Sequence, residues 1–160
     1  MPFISSSTDT EALTMTMVAE FDASVERVWQ VWGDPRQLER WWGPPTWPAT
    51  FSAYEFVPGG SAHYFMTGPS GAQIHGFWRI RTVDAPHSIT FDDGFADADG
   101  APVDPEDVLR CSVSIEAVGD LTRMTVHSQF RSTAQLEQMA EMGMEEGMSS
   151  AMGQIDALLD

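Results

Sequence analysis

From Leu13 to Phe21 apolar and polar residues alternate loosely, the period of a strand with one buried face. At Ser24 the period changes. Val25, Val28, Trp29 and Trp32 fall at i, i+3, i+4 and i+7, one apolar stripe of a helix that Ser24 caps and Gly33 stops. A second short helix follows at once, with Asp34 as N-cap, Pro35 at its first position, and Leu38 and Trp41 as its apolar residues. Gly43-Pro44-Pro45 ends it. Strand-like segments then occupy 47–57, 61–67, 73–83, 87–92, 108–117 and 122–130. Between them lie Pro58-Gly59-Gly60, Gly68-Pro69-Ser70-Gly71, Asp84-Ala85-Pro86, an acidic loop around 93–107 and Gly119-Asp120. Ser132 opens a long helix running close to the C-terminus, with Gln135 placed for a capping box.

Short turns between successive strands favour an antiparallel meander, because parallel pairs need long crossovers. The element order therefore predicts an α+β helix-grip fold: a curved antiparallel sheet of about seven strands around one long C-terminal helix, with two short helices after the first strand. Residues 1–12 read as a flexible tail and 13–160 as a single domain.

Two stretches depart from an ordinary amphipathic pattern. Residues 40–48, RWWGPPTWP, hold three of the six tryptophans. Three prolines fix the path there, and either the indoles anchor a corner to the core or Trp42 also forms part of a cavity wall. The second stretch is the long helix. Leu136, Ala140, Gly143, Gly147, Ala151 and Leu158 lie near the centre of one face, flanked by Met139, Met144, Met148 and Ile155. Each interior glycine costs about 1 kcal/mol relative to alanine. Two explanations stand: close approach of backbone to backbone, or a hollow walled by adaptable methionines.

Composition narrows the function. Hydrophobic residues make up 42%, and no apolar run approaches the ~20 residues of a membrane span. There are 24 acidic residues against 8 arginines and no lysine, a formal net charge of −16. Such a surface repels phosphate backbones and anionic lipid, which excludes nucleic-acid and membrane-surface partners. The N-terminus lacks the pattern of a secretory signal, and the single Cys111 forms no intrachain disulfide, so the cytoplasm is the expected compartment.

DASVERVWQVWGDPRQLERWWGP, FVPGG, GFWRIRTVDAP and the C-terminal GMEEGM with IDALL resemble, in this order, the activator-of-heat-shock-ATPase homologue (AHSA-type) branch of the START-like, or SRPBCC, superfamily. The resemblance covers roughly residues 13–159. It implies a deep, mostly apolar cavity between sheet and long helix. Members of the wider superfamily bind lipids, sterols, hormones or polyketides, and a minority catalyse cyclisation or dehydration. The eukaryotic activator carries an additional N-terminal domain that these residues do not supply, so the resemblance points to a bacterial stand-alone domain and says more about fold than chemistry.

The two-residue strand period points Tyr54 and Phe56, Tyr64 and Met66, Trp78 and Ile80, Ile89 and Phe91 toward the helix, and later Leu109, Cys111, Val113, Met124, Val126 and Ser128. The candidate ligand-binding residues are Trp42, Tyr54, Phe56, Tyr64, Met66, Trp78, Ile80, Phe91, Cys111, Ser128, Met139, Gly143 and Gly147. Such a lining suits a hydrophobic or aromatic small molecule held by one or two hydrogen bonds. It is equally what an ordinary core looks like.

No catalytic constellation stands out. His63, His75 and His127 read as solvated strand residues, and no histidine pair has zinc-site spacing. Cys111 reads as a buried inert thiol, and Glu55 as the partner of Arg79 or Arg81. Asp97 and Asp99 fall short of a calcium loop, and no glycine-rich phosphate loop follows a strand into a helix. Neither a metal nor a cofactor is expected. The expected function is binding of a hydrophobic small molecule. The alternatives are a polyketide cyclase- or dehydratase-like enzyme and a co-chaperone-like interaction domain; a homodimer is compatible with the sequence, but no feature specifies one.

Overall fold

The computed structural model describes residues 3–159. One antiparallel sheet runs through it in the order β1-β2-β8-β7-β6-β5-β4-β3. The strands are β1 (Phe3–Asp9), β2 (Thr14–Phe21), β3 (Ala49–Tyr54), β4 (Ser61–Thr67), β5 (Gln73–Asp84), β6 (Ser88–Ala96), β7 (Val108–Val118) and β8 (Leu121–Gln129). Helices α1 (Val25–Gly33) and α2 (Pro35–Leu38) follow β2, and α3 (Thr133–Glu141), α4 (Met144–Met152) and a 3-10 turn (Asp156–Leu158) close the chain. This is the helix-grip architecture, with eight strands instead of about seven.

The added strand is where a flexible tail was expected. Phe3–Asp9 pairs with β2 from Phe3↔Glu20 to Asp9↔Thr14. Its serines and threonines look like a polar tail, yet β-branched and hydroxyl residues suit an edge strand whose partner supplies every ladder bond. The Asp9 carboxylate accepts from the backbone N–H groups of Glu11 and Ala12, which closes the hairpin. The Ser6 hydroxyl donates to Glu145 of α4 at 2.5 Å. Met1 and Pro2, the first residues of the expected tail, and Asp160 lie outside the described residues.

The helix starts follow the sequence signals. Ser24 Oγ accepts from the Arg27 N–H, Asp34 from the Arg36 N–H, and Ser132 Oγ from the Gln135 N–H. Gln135 accepts with its side-chain oxygen from the Arg131 N–H at 2.7 Å, one residue beyond the N-cap N–H that a capping box uses. Trp41, expected within the second helix, lies just past its end and donates its indole N–H to the Val31 carbonyl at 2.8 Å.

The long C-terminal helix is broken, which corrects the single-helix expectation. Gly143 sits between α3 and α4 at φ 77°, a left-handed conformation that favours glycine. The two interior glycines thus have different reasons. Gly143 makes the break. Gly147 lies inside α4, and a Cβ built on it meets no atom within 4 Å. Close backbone approach is therefore excluded at Gly147, where the helix passes over open space.

Past the break the chain is clasped to the tryptophan corner. Gln154 donates to the Gly43 carbonyl at 2.7 Å and, more weakly, to that of Trp41. Arg27 donates to the Leu158 carbonyl, and Met152, Ile155 and Leu158 are buried.

Opposite signs follow for the two glycines. Gly143→Ala should lose about 1 kcal/mol through its positive φ. Gly147→Ala should gain about 0.5–1 kcal/mol from helix propensity alone. Urea denaturation of both variants checks this; a destabilised Gly147→Ala would mean that the space above the helix is not open.

Candidate functional site

The concave face of the sheet is filled at one end and hollow at the other. At the filled end Trp78 stacks on Phe91 with ring centroids 4.1 Å apart, Trp42 meets Trp78 edge-on at 4.9 Å, and Trp32 meets Trp41 edge-on at 4.8 Å. The Tyr54 hydroxyl donates to the Trp32 carbonyl at 2.6 Å, and Phe56 packs on Trp29. Five expected lining residues, Tyr54, Phe56, Trp78, Ile80 and Phe91, belong here and not to the cavity. The strand period gave the face of Trp78, Ile80 and Phe91, whereas Tyr54 turns inward through a bulge between Phe51 and Ala53 and Phe56 lies past the end of β3. The period could not give how far along that face α1 and the tryptophan corner extend.

At the other end lies a cavity of about 440 Å³, bounded by the sheet and by α3 and α4. Trp42, Tyr64, Met66, Cys111, Ser128, Met139, Gly143 and Gly147 all border it. Leu109, Met144 and Met148 join them, with Trp47, Ile74 and Met142 toward exposed surface. The wall is mostly aromatic and methionine, surfaces that adapt to an apolar occupant.

The principal polar group in it is Asp93, which the sequence reading placed in an acidic loop. Strand β6 runs on to Ala96, and Asp93 continues the inward series Ile89, Phe91, Asp93. The signal was present in that period-two continuation, but the acidic composition from residue 92 onward obscured it. The Tyr64 hydroxyl donates to Asp93 Oδ1 at 2.8 Å. The indole N–H groups of Trp78 and Trp42 lie near the Asp93 carboxyl and the Tyr64 hydroxyl respectively, without well-formed hydrogen bonds. Burial raises the Asp93 carboxyl to about 7, against the smaller opposing effect of these donors. Burial also pushes the Tyr64 phenol well up, with Asp93 adding to it.

Asp92 is the opposite case, one residue away and on the other face. It has no accessible surface because three half-exposed arginines cover it: Arg81 at 2.6 Å, Arg110 at 2.5 Å and Arg79 at 4.0 Å. Burial opposes its ionisation, but the hydrogen bonds from Arg81 and Arg110 outweigh it and hold the carboxyl below the usual range. Arg79 or Arg81 was expected to pair with Glu55. The exposed Glu55 carboxylate instead accepts only a long bond from the Ser61 hydroxyl among the described residues.

The remaining candidates have structural partners. Cys111 Sγ lies 3.8 Å from Ser128 Oγ, and burial pushes its thiol well up, so it is a poor nucleophile. His63 shares a hydrogen bond with His75 at 2.9 Å and another with Ser52. Burial first, and the neighbouring imidazole second, lower the His63 pKa. His75, expected to face away from the cavity, borders it, because β5 forms one side of the opening. His127 shares a bond with Thr16 at 3.0 Å. In the acidic loop Asp97 accepts from the N–H groups of Asp99 and Ala101, closing a turn. At the cavity mouth Asp107 is bound by Arg131 and by Gln135.

One antiparallel sheet gripping the C-terminal helices around a cavity defines a helix-grip domain. Residues 22–160 match the family model described as "Activator of Hsp90 ATPase homolog 1-like protein", and the chain belongs to that family. It is similar to a protein from Arthrobacter aurescens solved by NMR, at 57% identity over 97% of this chain and 90% of that one, with a TM-score of 0.91. It is also similar to protein Ms6760 from Mycobacterium smegmatis, at 45% identity over 99% and 98% of the two chains, with a TM-score of 0.90. A Staphylococcus epidermidis protein shares 25% identity over 98% and 92%, with a TM-score of 0.82. No curated protein matches. No helix among the described residues is long and apolar enough to cross a membrane.

The neighbouring aspartates should respond oppositely to amide substitution. Below about pH 4 Asp93 is protonated in folded and unfolded chains alike. Between there and about pH 7 only the unfolded chain ionises, so this residue's contribution to stability falls as pH rises and then levels off. Asp93→Asn should therefore gain roughly 2 kcal/mol on wild type between pH 5 and pH 8. Asp92→Asn should lose about 1–3 kcal/mol at pH 7, because it leaves its arginines without their shared anion. Urea denaturation at the two pH values checks both; an Asp93→Asn difference independent of pH would refute the buried-acid assignment.

Proposed function

We propose that this domain binds a hydrophobic or aromatic small molecule in the cavity between the sheet and α3–α4, with Asp93 and Tyr64 as its polar anchor. The observation that carries the reading is Gly147, a helix-interior glycine with open space above it. No packing partner requires the missing side chain, and ordinary helix propensity disfavours it. The volume falls within the range of small-molecule sites, roughly 300–1,000 Å³. Trp42, Tyr64, Met66, Cys111, Ser128, Met139, Gly143 and Gly147 would contact the ligand. A net charge of −16 favours small molecules over nucleic acid, and the buried, unpaired thiol suits the cytoplasm.

One observation favours a second reading. A carboxyl raised to about 7 and hydrogen-bonded to a phenol has the properties of a general acid or base at neutral pH. A cyclase- or dehydratase-like reaction on the bound molecule would use Asp93 for proton transfer. A co-chaperone role has less support: of the exposed large apolar residues among the described ones, Ile74 and Met142 border the hollow, and Val57, Val103 and Leu121 lie on separate turns and strand ends.

Native mass spectrometry of freshly purified protein, followed by denaturing extraction, tests the binding reading. A stoichiometric apolar adduct is expected on the wild type. Gly147→Leu, which fills the space, should lose the adduct while keeping the wild-type circular dichroism spectrum. A clean apo mass together with no uptake of Nile red would sink the proposal.

A further inference from the structure

The acid at the cavity wall has hydrogen-bond donors around it but no counter-ion. Asp93 Oδ1 accepts from Tyr64, and the Trp78 and Trp42 indole N–H groups, both buried, approach the same carboxyl–phenol pair without completing a bond. A carboxylate has about four acceptor positions, and one is filled by a well-formed bond. These three donors are neutral.

The cavity lining among the described residues contains no arginine, and the protein has no lysine. Asp107, the other acid bordering the cavity, differs because Arg131 lies 3.2 Å from it. The adjacent Asp92 has three arginines. Among the described residues arginines thus stand against the acids beside Asp93 and at the mouth, and none against Asp93, while His75 on the cavity border shares its hydrogen bond with His63.

We infer that the ligand itself brings the positive charge: an apolar or aromatic molecule carrying a protonated amine, whose ammonium meets Asp93. This rests on the cavity-binding reading above and names the class of molecule. Three features favour it together. The open positions on Asp93 accept N–H donors. Trp42 and Tyr64 border the cavity, and aromatic side chains attract a cation held within about 6 Å. The surrounding charge of −16 raises the local concentration of cations and disfavours anions. A fatty acid or other carboxylate would place two acids together with no cation between them.

Three probes with one aromatic body separate the possibilities: 2-(aminomethyl)naphthalene, 2-naphthalenemethanol and 2-naphthoate, titrated at pH 7.5 and followed by protein NMR shifts. The amine is expected to bind about tenfold more tightly than the alcohol, with the carboxylate weakest. Asp93→Asn should remove the preference for the amine and leave alcohol binding in place. Asp99→Asn, the same charge change on the exposed loop, should leave the preference intact. The amine inference is overturned if the carboxylate binds as well as the amine. It is also overturned if the preference survives Asp93→Asn, which would trace it to the surface field alone. In both cases the cavity reading still stands. Failure of all three probes to shift any cavity resonance would overturn the cavity reading and this inference with it. Should Asp93→Asn fold poorly, the wild-type ranking in 1 M sodium chloride, where the surface field is screened to about 3 Å, decides instead: a preference lost there overturns the inference.

Discussion

The indole of Trp42 divides the concave face of the sheet. On one side it meets Trp41, Trp78 and Phe91, and this cluster fills the space beneath α1. On its other side it faces the cavity. Trp42 holds this place because the chain around it has little freedom. Pro44, Pro45 and Pro48 fix the path out of the corner. Gly43 turns so tightly that a Cβ would lie 2.0 Å from the Trp47 carbonyl oxygen. Gln154 then ties the corner to the end of the chain. A large aromatic buries ~150–250 Å², so several of them concentrated at one end give the domain a core without packing across the other. Anchoring the corner and walling the cavity are both done by this one residue.

That division explains the two neighbouring aspartates. A strand alternates its faces, so consecutive acids in β6 must point opposite ways. Asp92 emerges on the face where Arg79, Arg81 and Arg110 stand on the flanking strands, and there it is held as an anion. Asp93 emerges beside the aromatic partition, where the donors near it among the described residues are the Tyr64 phenol and the Trp78 and Trp42 indoles. Gly76, opposite Tyr64 on β5, leaves room for the phenol ring: a Cβ there would lie 2.3 Å from it. Tyr64 can therefore lie flat enough to reach the acid. One dipeptide thus carries both an ion-pair centre that ties three strands together and an unneutralised acid directed into the hollow.

Much of this was legible in the sequence, and the failures have physical causes. Capping residues and periodicity located α1, α2 and the start of α3 because their signals are local. The first strand was missed because an edge strand of serine and threonine has no buried face to produce alternation. The break at Gly143 was missed because a heptad-like stripe continues across it, and a glycine on such a stripe does not disclose its φ. Asp93 was missed because acidic residues on both sides resemble a loop, although Phe91 and Phe95 kept the strand's period. The face of the lining residues on β4 to β8 could be read from alternation, but that of Tyr54 and Phe56 could not, because β3 bulges after Phe51 and ends at Tyr54. Whether a residue on that face met the tryptophan partition or empty space depended on contacts between elements distant in sequence, as the separation of Trp78 from Tyr64 illustrates.

The cover over the cavity is built differently from its walls. Among the residues of α3 only Gln135 is buried, and it is held by polar bonds to Asp107 and the Val108 carbonyl. In α4 the buried residues are Ala151 and Met152, at its far end, close to the clasp. Between them Met139, Met144 and Met148 are only partly buried, on either side of a left-handed glycine. Elements with few buried apolar contacts lie at the low end of local stability. The cover therefore lacks the apolar surface that would hold it down, and a ligand in the cavity would supply it by touching those methionines from below. The sheet and the tryptophan corner do not need that contribution, since their own packing is complete without it. Stability and a retained hollow coexist here because separate ends of one sheet provide them.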